Sequence, residues 1–214
     1  MDDNVGQYFH EYIHPYHGFY GEGADKNRFF PSIGNHDWRW PEPGPYLTYF
    51  NLPGNERYYD FVWGPVHFFA LNSIVHEPDG TTPSSDQGQW LKEGLERSRL
   101  PWKIVYMHHP PYSSGPHGST QRMQWPYASW GASAVIAGHD HNYERLIVDG
   151  IPYFVNGLGG NGSYGFEEIL PRSEARYRAD YGAMRVSADR QQITFQFITR
   201  SGNVIDTFRL ERSP

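Results

Sequence analysis

Gly and Pro are spread along the chain and cluster at the edges of β-rich apolar runs. Residues 57–71 read as two strands folding back at Gly64-Pro65, a hairpin signal. Lys103–His108 is a β-rich run, and Ala134–Ala137 is a small apolar strand that stops at Gly138. Residues 145–155 read as a hairpin turning at Asp149-Gly150. Residues 181–210 read as three or four antiparallel strands, with turns near Asp189 and at Ser201-Gly202-Asn203. Helical spacing is rarer. Ser84 followed by Gln87 makes a capping-box pattern, opening a helix that carries Trp90, Leu91 and Leu95 inward. Residues 5–20, rich in Tyr, Phe and His, read as a helix ending near Pro15, and residues 121–130 as a short helix broken near Pro126. Residues 28–33 read as a short strand entering a turn at Gly34. Strands alternate with helices early and dominate late, which predicts a layered α/β fold with mixed sheets.

Composition narrows the class. A chain of 214 residues without internal repeat, low-complexity tract or linker predicts one domain over residues 1–214. Hydrophobic residues at 38% and charged residues at 20%, with no long like-charge run, argue against disorder. No stretch approaches the ~20 apolar residues of a membrane span. The net charge of −6 counts against a nucleic-acid partner, whose readers carry a basic face. With no cysteine, disulfides, thiolate zinc sites and a cysteine nucleophile are excluded. The 11 histidines then carry the interest, because imidazole is the commonest transition-metal ligand and a frequent acid or base.

Three segments share one arrangement: a β-rich run ends, and Gly, Asn or His follows at once. They are Gly34-Asn35-His36-Asp37, the run closing on His108-His109, and Gly138-His139-Asp140-His141. In layered α/β folds, ligand sites lie at the carboxyl ends of strands. His139 and His141, two apart, face the same way in extended backbone, so both can reach one metal or two adjacent metals. Taken alone, this pair is also what two surface histidines look like. His108 and His109, being adjacent, should point to opposite faces of a strand, so that at most one is a ligand and the other is a packing, hydrogen-bonded or supporting histidine. Asn35 offers a neutral carbonyl oxygen, although Gly-Asn is also common in turns. His36 could donate a proton, with Asp37 holding its tautomer.

These blocks, extended to Trp38 in the first and to Asn142-Tyr143-Glu144-Arg145 in the last, resemble the calcineurin-like metallophosphoesterase superfamily. Within it they look most like the purple acid phosphatase and tartrate-resistant acid phosphatase branch, in order and approximate spacing. The resemblance implies a four-layer α/β/β/α sandwich with mixed sheets and a two-metal site. It carries Asn35, His108 and His139 onto one metal and His141 onto the other. It carries His36 onto contact with the phosphate or protonation of the leaving group. His117, nine residues after His108, matches a further active-site histidine of such phosphatases. The implied activity is hydrolysis of phosphate esters with Zn, Mn or Fe, by water that the metals activate. A secreted or periplasmic setting is implied as well, without a signal peptide in this chain, and no nucleic acid or membrane is expected as a partner.

The resemblance is incomplete. Two earlier blocks of the family pattern, an Asp-containing motif and a Gly-Asp-x-x-Tyr motif, find no match in the 33 residues before Gly34. The sequence therefore reads as truncated at its N-terminus, lacking the bridging Asp and the Tyr that colours purple enzymes. One well-held metal and an incomplete second site are expected. Three behaviours follow: a working metal-dependent phosphoesterase, a metal-binding but silent fragment, or a domain whose exposed sheet is covered by self-association. The Gly157–Gly162 run lacks the ending of a phosphate-binding P-loop and reads as a tight loop near the crevice. Glu144 and Arg145 read as ion-pairing residues beneath the site, and the aromatics between Tyr46 and Trp63 as core.

Overall fold

The Gly64-Pro65 turn forms where the sequence places it, with Gly64 at φ 54°, the left-handed conformation a tight strand connection needs. It joins β1 (Tyr59–Trp63) to β2 (Val66–Ala70). The computed structural model describes residues 1–38 and 42–212. Before the hairpin lie two four-residue helices, α1 (Gly6–Phe9) and α2 (Gly44–Leu47). After it comes α3 (Asp86–Arg97), then β3 (Trp102–Met107), β4 (Ala134–Ala137), β5 (Tyr143–Val148) and β6 (Ile151–Asn156). The chain closes with β7 (Ser173–Tyr177), β8 (Gly182–Ala188), β9 (Gln192–Thr199) and β10 (Val204–Glu211).

Seven strands form one mixed sheet in the order β1-β2-β3-β4-β6-β5-β7. Its centre, from β2 to β6, is parallel, and its flanks are antiparallel. Strands β10-β9-β8 form a second, antiparallel sheet. The central strands are buried on both faces, as parallel strands must be. Ile104, Ala134 and Phe154 meet Ile193, Phe195 and Phe197 of the second sheet. Val105, Met107 and Val135 face the opposite way, with Leu91 and Leu95 of α3. Each of those leucines is fully buried, contributing roughly 1.5–3 kcal/mol. The expected α/β sandwich with mixed sheets is therefore present. The outer face of the three-stranded sheet is open, with β8 and β10 alternating between half-buried and exposed positions. Edge strand β1 exposes Val62 and Trp63. No described helix is long and apolar enough to cross a membrane.

Arg145 ties the two sheets together. Its guanidinium donates from Nε to Asp206 Oδ2 of β10 at 2.7 Å and pairs with Glu174 of β7. It also lies 4.7 Å from the Phe208 ring centroid. The ion pair expected of Arg145 is thus formed. Glu144, the neighbour on the other face, makes none: it accepts hydrogen bonds from the Ser114 N–H and hydroxyl.

Several expected elements differ. Residues 28–33 form no strand, since no described strand pairs with their backbone, although Phe29, Phe30 and Ile33 still pack into an apolar cluster and Phe30 stacks on Phe61 of β1. The helix expected over residues 5–20 is only α1 and a 3-10 turn ending at Tyr12. The helix expected over 121–130 is one 3-10 turn, Gln121–Met123. The cap of α3 is Ser85, one residue later than expected, accepting from the Gly88 N–H. Strand β7 lies outside the expected elements, although Glu174 and Arg176 alternate with Ser173, Ala175 and Tyr177, and Ala175 and Tyr177 pack against the apolar cluster between the sheets.

Candidate metal centre

Strands β3 and β4 are parallel neighbours whose last residues, Met107 and Ala137, are in register. The ladder runs one step further, with the Gly138 N–H donating to the His108 carbonyl at 3.0 Å. His108 and His139 consequently leave the sheet side by side, with His108 Nε2 3.0 Å from His139 Nδ1. The Gly34–Asp37 turn approaches from the other side. Its Asn35 Oδ1 lies 2.7 Å from the same His108 Nε2. Gly34 is required for this approach, since a Cβ there would sit 2.9 Å from His108 Nδ1. Gly34→Ala should therefore push His108 out of line. We expect at least a tenfold loss of Zn²⁺ affinity by titration, with the far-UV circular dichroism unchanged; unaltered affinity would refute the steric argument.

His139 adopts φ 66°, left-handed backbone rarely taken by a non-glycine residue. Such strain persists where surrounding structure overrides it, and it occurs often at functional sites. Here it turns the imidazole back over the end of β3.

His109 is a correction to the expectation from alternation. Its ring centroid lies 4.8 Å from that of His108 and 4.5 Å from that of His139. The ligand nitrogens of His108, His109 and His139 all fall within 4.8 Å of one another. The two-residue alternation stops with the strand at Met107, so it does not separate residues 108 and 109. Ser73 holds His109, its Oγ lying 2.9 Å from both the ring Nδ1 and the backbone N–H.

His117 also joins the cluster, its ring centroid 4.2 Å from that of His139. Its Nδ1 and backbone N–H both bond Asp140 Oδ1, at 2.8 and 3.1 Å. Asp140 is fully buried and accepts from the Ser113 hydroxyl as well. It fixes the His117 tautomer with the proton on Nδ1 and Nε2 free. Sequence reasoning gave Asp140 no role, and its place between the two histidines of the block was the available signal. His141 stands apart from the triad. Its Nδ1–H donates to the Gly162 carbonyl at 2.9 Å, and its ring stacks on Tyr164 at 4.1 Å. The glycine loop thus lies against the site as expected. Nε2 of His141 is left as the acceptor.

His36 is exposed beside Asn35, near enough to weaken proton binding by His108 and His139. Asp37 does not hold its tautomer. The carboxylate accepts from the Gly34 N–H at 2.9 Å, closing the turn, and no described bond joins it to His36. The sequence-based role of Asp37 therefore becomes one of shaping the turn that presents Asn35.

Burial, reinforced by the neighbouring imidazoles, lowers the His108 pKa to about 3. Burial, His139 and the Arg122 charge lower that of His109 to about 4. Burial also lowers His139. All three hold their protons more weakly when folded than the ordinary imidazole at 6.5. Below pH 6.5 the unfolded chain therefore binds more protons, and folded stability must fall as pH drops. The urea midpoint of the metal-free chain should decline steadily from pH 7 to pH 4. A flat midpoint over that window would contradict the depressed values.

The donor chemistry fits a metal. Imidazole nitrogens and one amide oxygen suit Zn, Fe or Mn better than Ca or Mg. Tetrahedral zinc with Zn–N bonds of 2.0–2.1 Å sets its ligands about 3.3 Å apart, close to the spacing at His108. No described carboxylate belongs to the cluster, so one cation is accommodated more readily than two.

A parallel-centred α/β sandwich with histidines clustered at the C-terminal ends of adjacent strands has the layout of metal-dependent phosphoesterases. The calcineurin-like phosphoesterase family model matches residues 3–143, and the chain belongs to that family. It is 26% identical to human tartrate-resistant acid phosphatase type 5 over 193 residues, covering 81% of this chain and 59% of that protein. It is 42% identical to the Arabidopsis thaliana Fe(3+)-Zn(2+) purple acid phosphatase 12 over 84 residues, 34% of this chain and 18% of the relative. The fold matches that of purple acid phosphatase PPD1 from yellow lupin seeds with a TM-score of 0.75 at 24% identity, over 85% of this chain and 40% of that one. The chain spans less than two thirds of the length of each of these proteins.

Proposed function

We propose that this chain binds a transition-metal ion through Asn35, His108 and His139 and hydrolyses phosphate esters there. The observation that carries the reading is the convergence of Asn35 Oδ1 and His139 Nδ1 on His108 Nε2, at 2.7 and 3.0 Å. Support comes from family membership and from relatives named as acid phosphatases. Zn, Mn and Fe are the candidate ions, and one relative is named for iron and zinc. When bound, such an ion polarises phosphoryl oxygens and acidifies water.

The protein's own groups do the rest. His108 and His109, with pKa values lowered to about 3 and about 4, are neutral at mildly acid pH and need release no proton to serve as ligands, and burial shifts His139 in the same direction. In the hydrolysis, a water oxygen bonds to phosphorus, the ester P–O bond breaks and a proton passes to the departing alkoxide. His117, with Nδ1–H held by Asp140, can take the proton lost by the attacking water onto Nε2 and pass it to the alkoxide, and His36 is the second candidate. His141 offers Nε2 to a second, weaker cation.

The absence of a carboxylate among the clustered residues favours one rival reading, a metal-binding domain that does not turn over. Hydrolysis of p-nitrophenyl phosphate, with and without added Zn²⁺ or Mn²⁺, separates the two. Metal-stimulated release of p-nitrophenol supports the proposal. Stoichiometric metal uptake without release supports the rival.

A further inference from the structure

A second polar feature opens off the histidine cluster. A cavity of about 370 Å³ is lined by Asn35 and His109, which belong to the cluster, and by Trp38, Ile74, Val75 and Arg122, which do not. Two of these side chains carry buried donors without an acceptor among the described residues: Trp38 Nε1 and Arg122 Nε. Buried donors in native structures are nearly always paired, so Arg122 and Trp38 stand out among the lining side chains for unspent hydrogen-bonding capacity, although these two atoms are themselves closed to solvent in this conformation. The guanidinium is held in place, Nη2 donating to the Ser73 carbonyl at 2.7 Å, and Ser73 also holds His109. No described carboxylate pairs with Arg122 and none is among the described lining residues, although the chain carries a net charge of −6. The cavity therefore offers a fixed cation beside the metal centre, with the Trp38 indole in its wall.

We infer that this cavity seats a second anionic group of the substrate, a carboxylate or a further phosphate, against Arg122 and Trp38. The inference rests on the phosphoesterase reading and adds the class of ester: one bearing two separated anionic groups. A fixed guanidinium suits this role, because its N–H groups match planar or tetrahedral oxyanions and its charge is not titrated away. Ile74 and Val75 supply apolar wall, and His76 completes the lining.

The test compares 3-phosphoglycerate with glycerol 3-phosphate, which share a primary phosphate ester and differ in a carboxylate against an alcohol. In the Zn²⁺-loaded chain we expect KM about tenfold lower for 3-phosphoglycerate, with similar kcat; tenfold corresponds to about 1.4 kcal/mol. Arg122→Gln should bring the KM ratio to within about twofold, and Trp38→Phe, which removes only the indole donor, should lower it part of the way. If neither compound is hydrolysed, the phosphoesterase reading fails by itself, and the same ratio is read as Kd by calorimetric titration. A wild-type ratio near one, in KM or in Kd, overturns the inference, as does a tenfold ratio that survives in folded Arg122→Gln. Should that variant not fold, the wild-type ratio and Trp38→Phe decide.

Discussion

His139→Ala is expected to abolish metal-stimulated phosphate-ester hydrolysis and to weaken Zn²⁺ binding by at least about 100-fold, more than loss of a supporting residue would cost. Three other imidazole rings surround His139, those of His108, His109 and His117, at centroid separations of 4.8, 4.5 and 4.2 Å. Its removal deletes one donor from the convergent set and leaves His117 with only the more distant Tyr164 ring, at 5.4 Å, among its described ring contacts. Stability should respond differently from activity. At φ 66° an alanine keeps the left-handed strain, whereas glycine relieves it. His139→Gly should therefore be more stable than His139→Ala by about 1 kcal/mol, with both inactive. Activity assays with Zn²⁺ and Mn²⁺, paired with urea denaturation of the metal-free variants, check both statements. Undiminished metal-stimulated hydrolysis in His139→Ala would remove the foundation of the proposed function.

Arg145→Ala should lose about 3 kcal/mol or more of folding stability, the largest loss expected from a single surface-distant ion pair here. The side chains of Arg145 and Asp206 are 11% and 12% exposed. Burial alone would raise the Asp206 pKa, but the bonds from Arg145 and Tyr143 outweigh it and hold the carboxyl below its ordinary value. Removing the guanidinium leaves a desolvated carboxylate with the Tyr143 hydroxyl at 2.8 Å and the Thr207 backbone N–H, and breaking one side of a buried pair typically costs about 3–5 kcal/mol. Glu174, 51% exposed, can return to water and contributes little. The double variant Arg145→Met with Asp206→Leu should recover much of the loss, because it removes both charges together. Urea midpoints of the single and double variants measure this, and a single-variant loss below about 1 kcal/mol would show that the two sheets are held by their apolar contacts alone.

Much of the site was legible because its chemistry lies in short blocks at strand ends. Asn35, His108 and His139 were each readable as strand-end candidates, the family resemblance grouped them on one metal, and the structure brings these three together. His117 was readable only by its spacing from His108, and it too arrives at the cluster. His109 was misplaced because strand alternation was extended one residue too far. Asp37 was misread because its carboxylate had two equally local partners, and the turn N–H of Gly34 takes it in place of His36. Arg122 carried no signal, and Trp38 none beyond its place at the end of the first block. Their unpaired donors exist only because segments far apart in the chain close one cavity.

The same division runs through the fold. By itself the sequence determined the hairpin at Gly64-Pro65, the strands β3 and β4, the β5–β6 turn and the closing antiparallel strands. Each depends on local alternation and on turn residues that act within a few positions. It also determined which residue types stand at the ends of β3 and β4. Tertiary structure alone decided that β3 and β4 are neighbours with level ends, which converts two separate histidine blocks into one centre. It decided as well that residues 28–33 stay irregular, since a strand needs a partner whatever its propensity. The physical reason is the same in both cases: backbone pairing and side-chain convergence depend on neighbours remote in the chain, and local sequence does not name them.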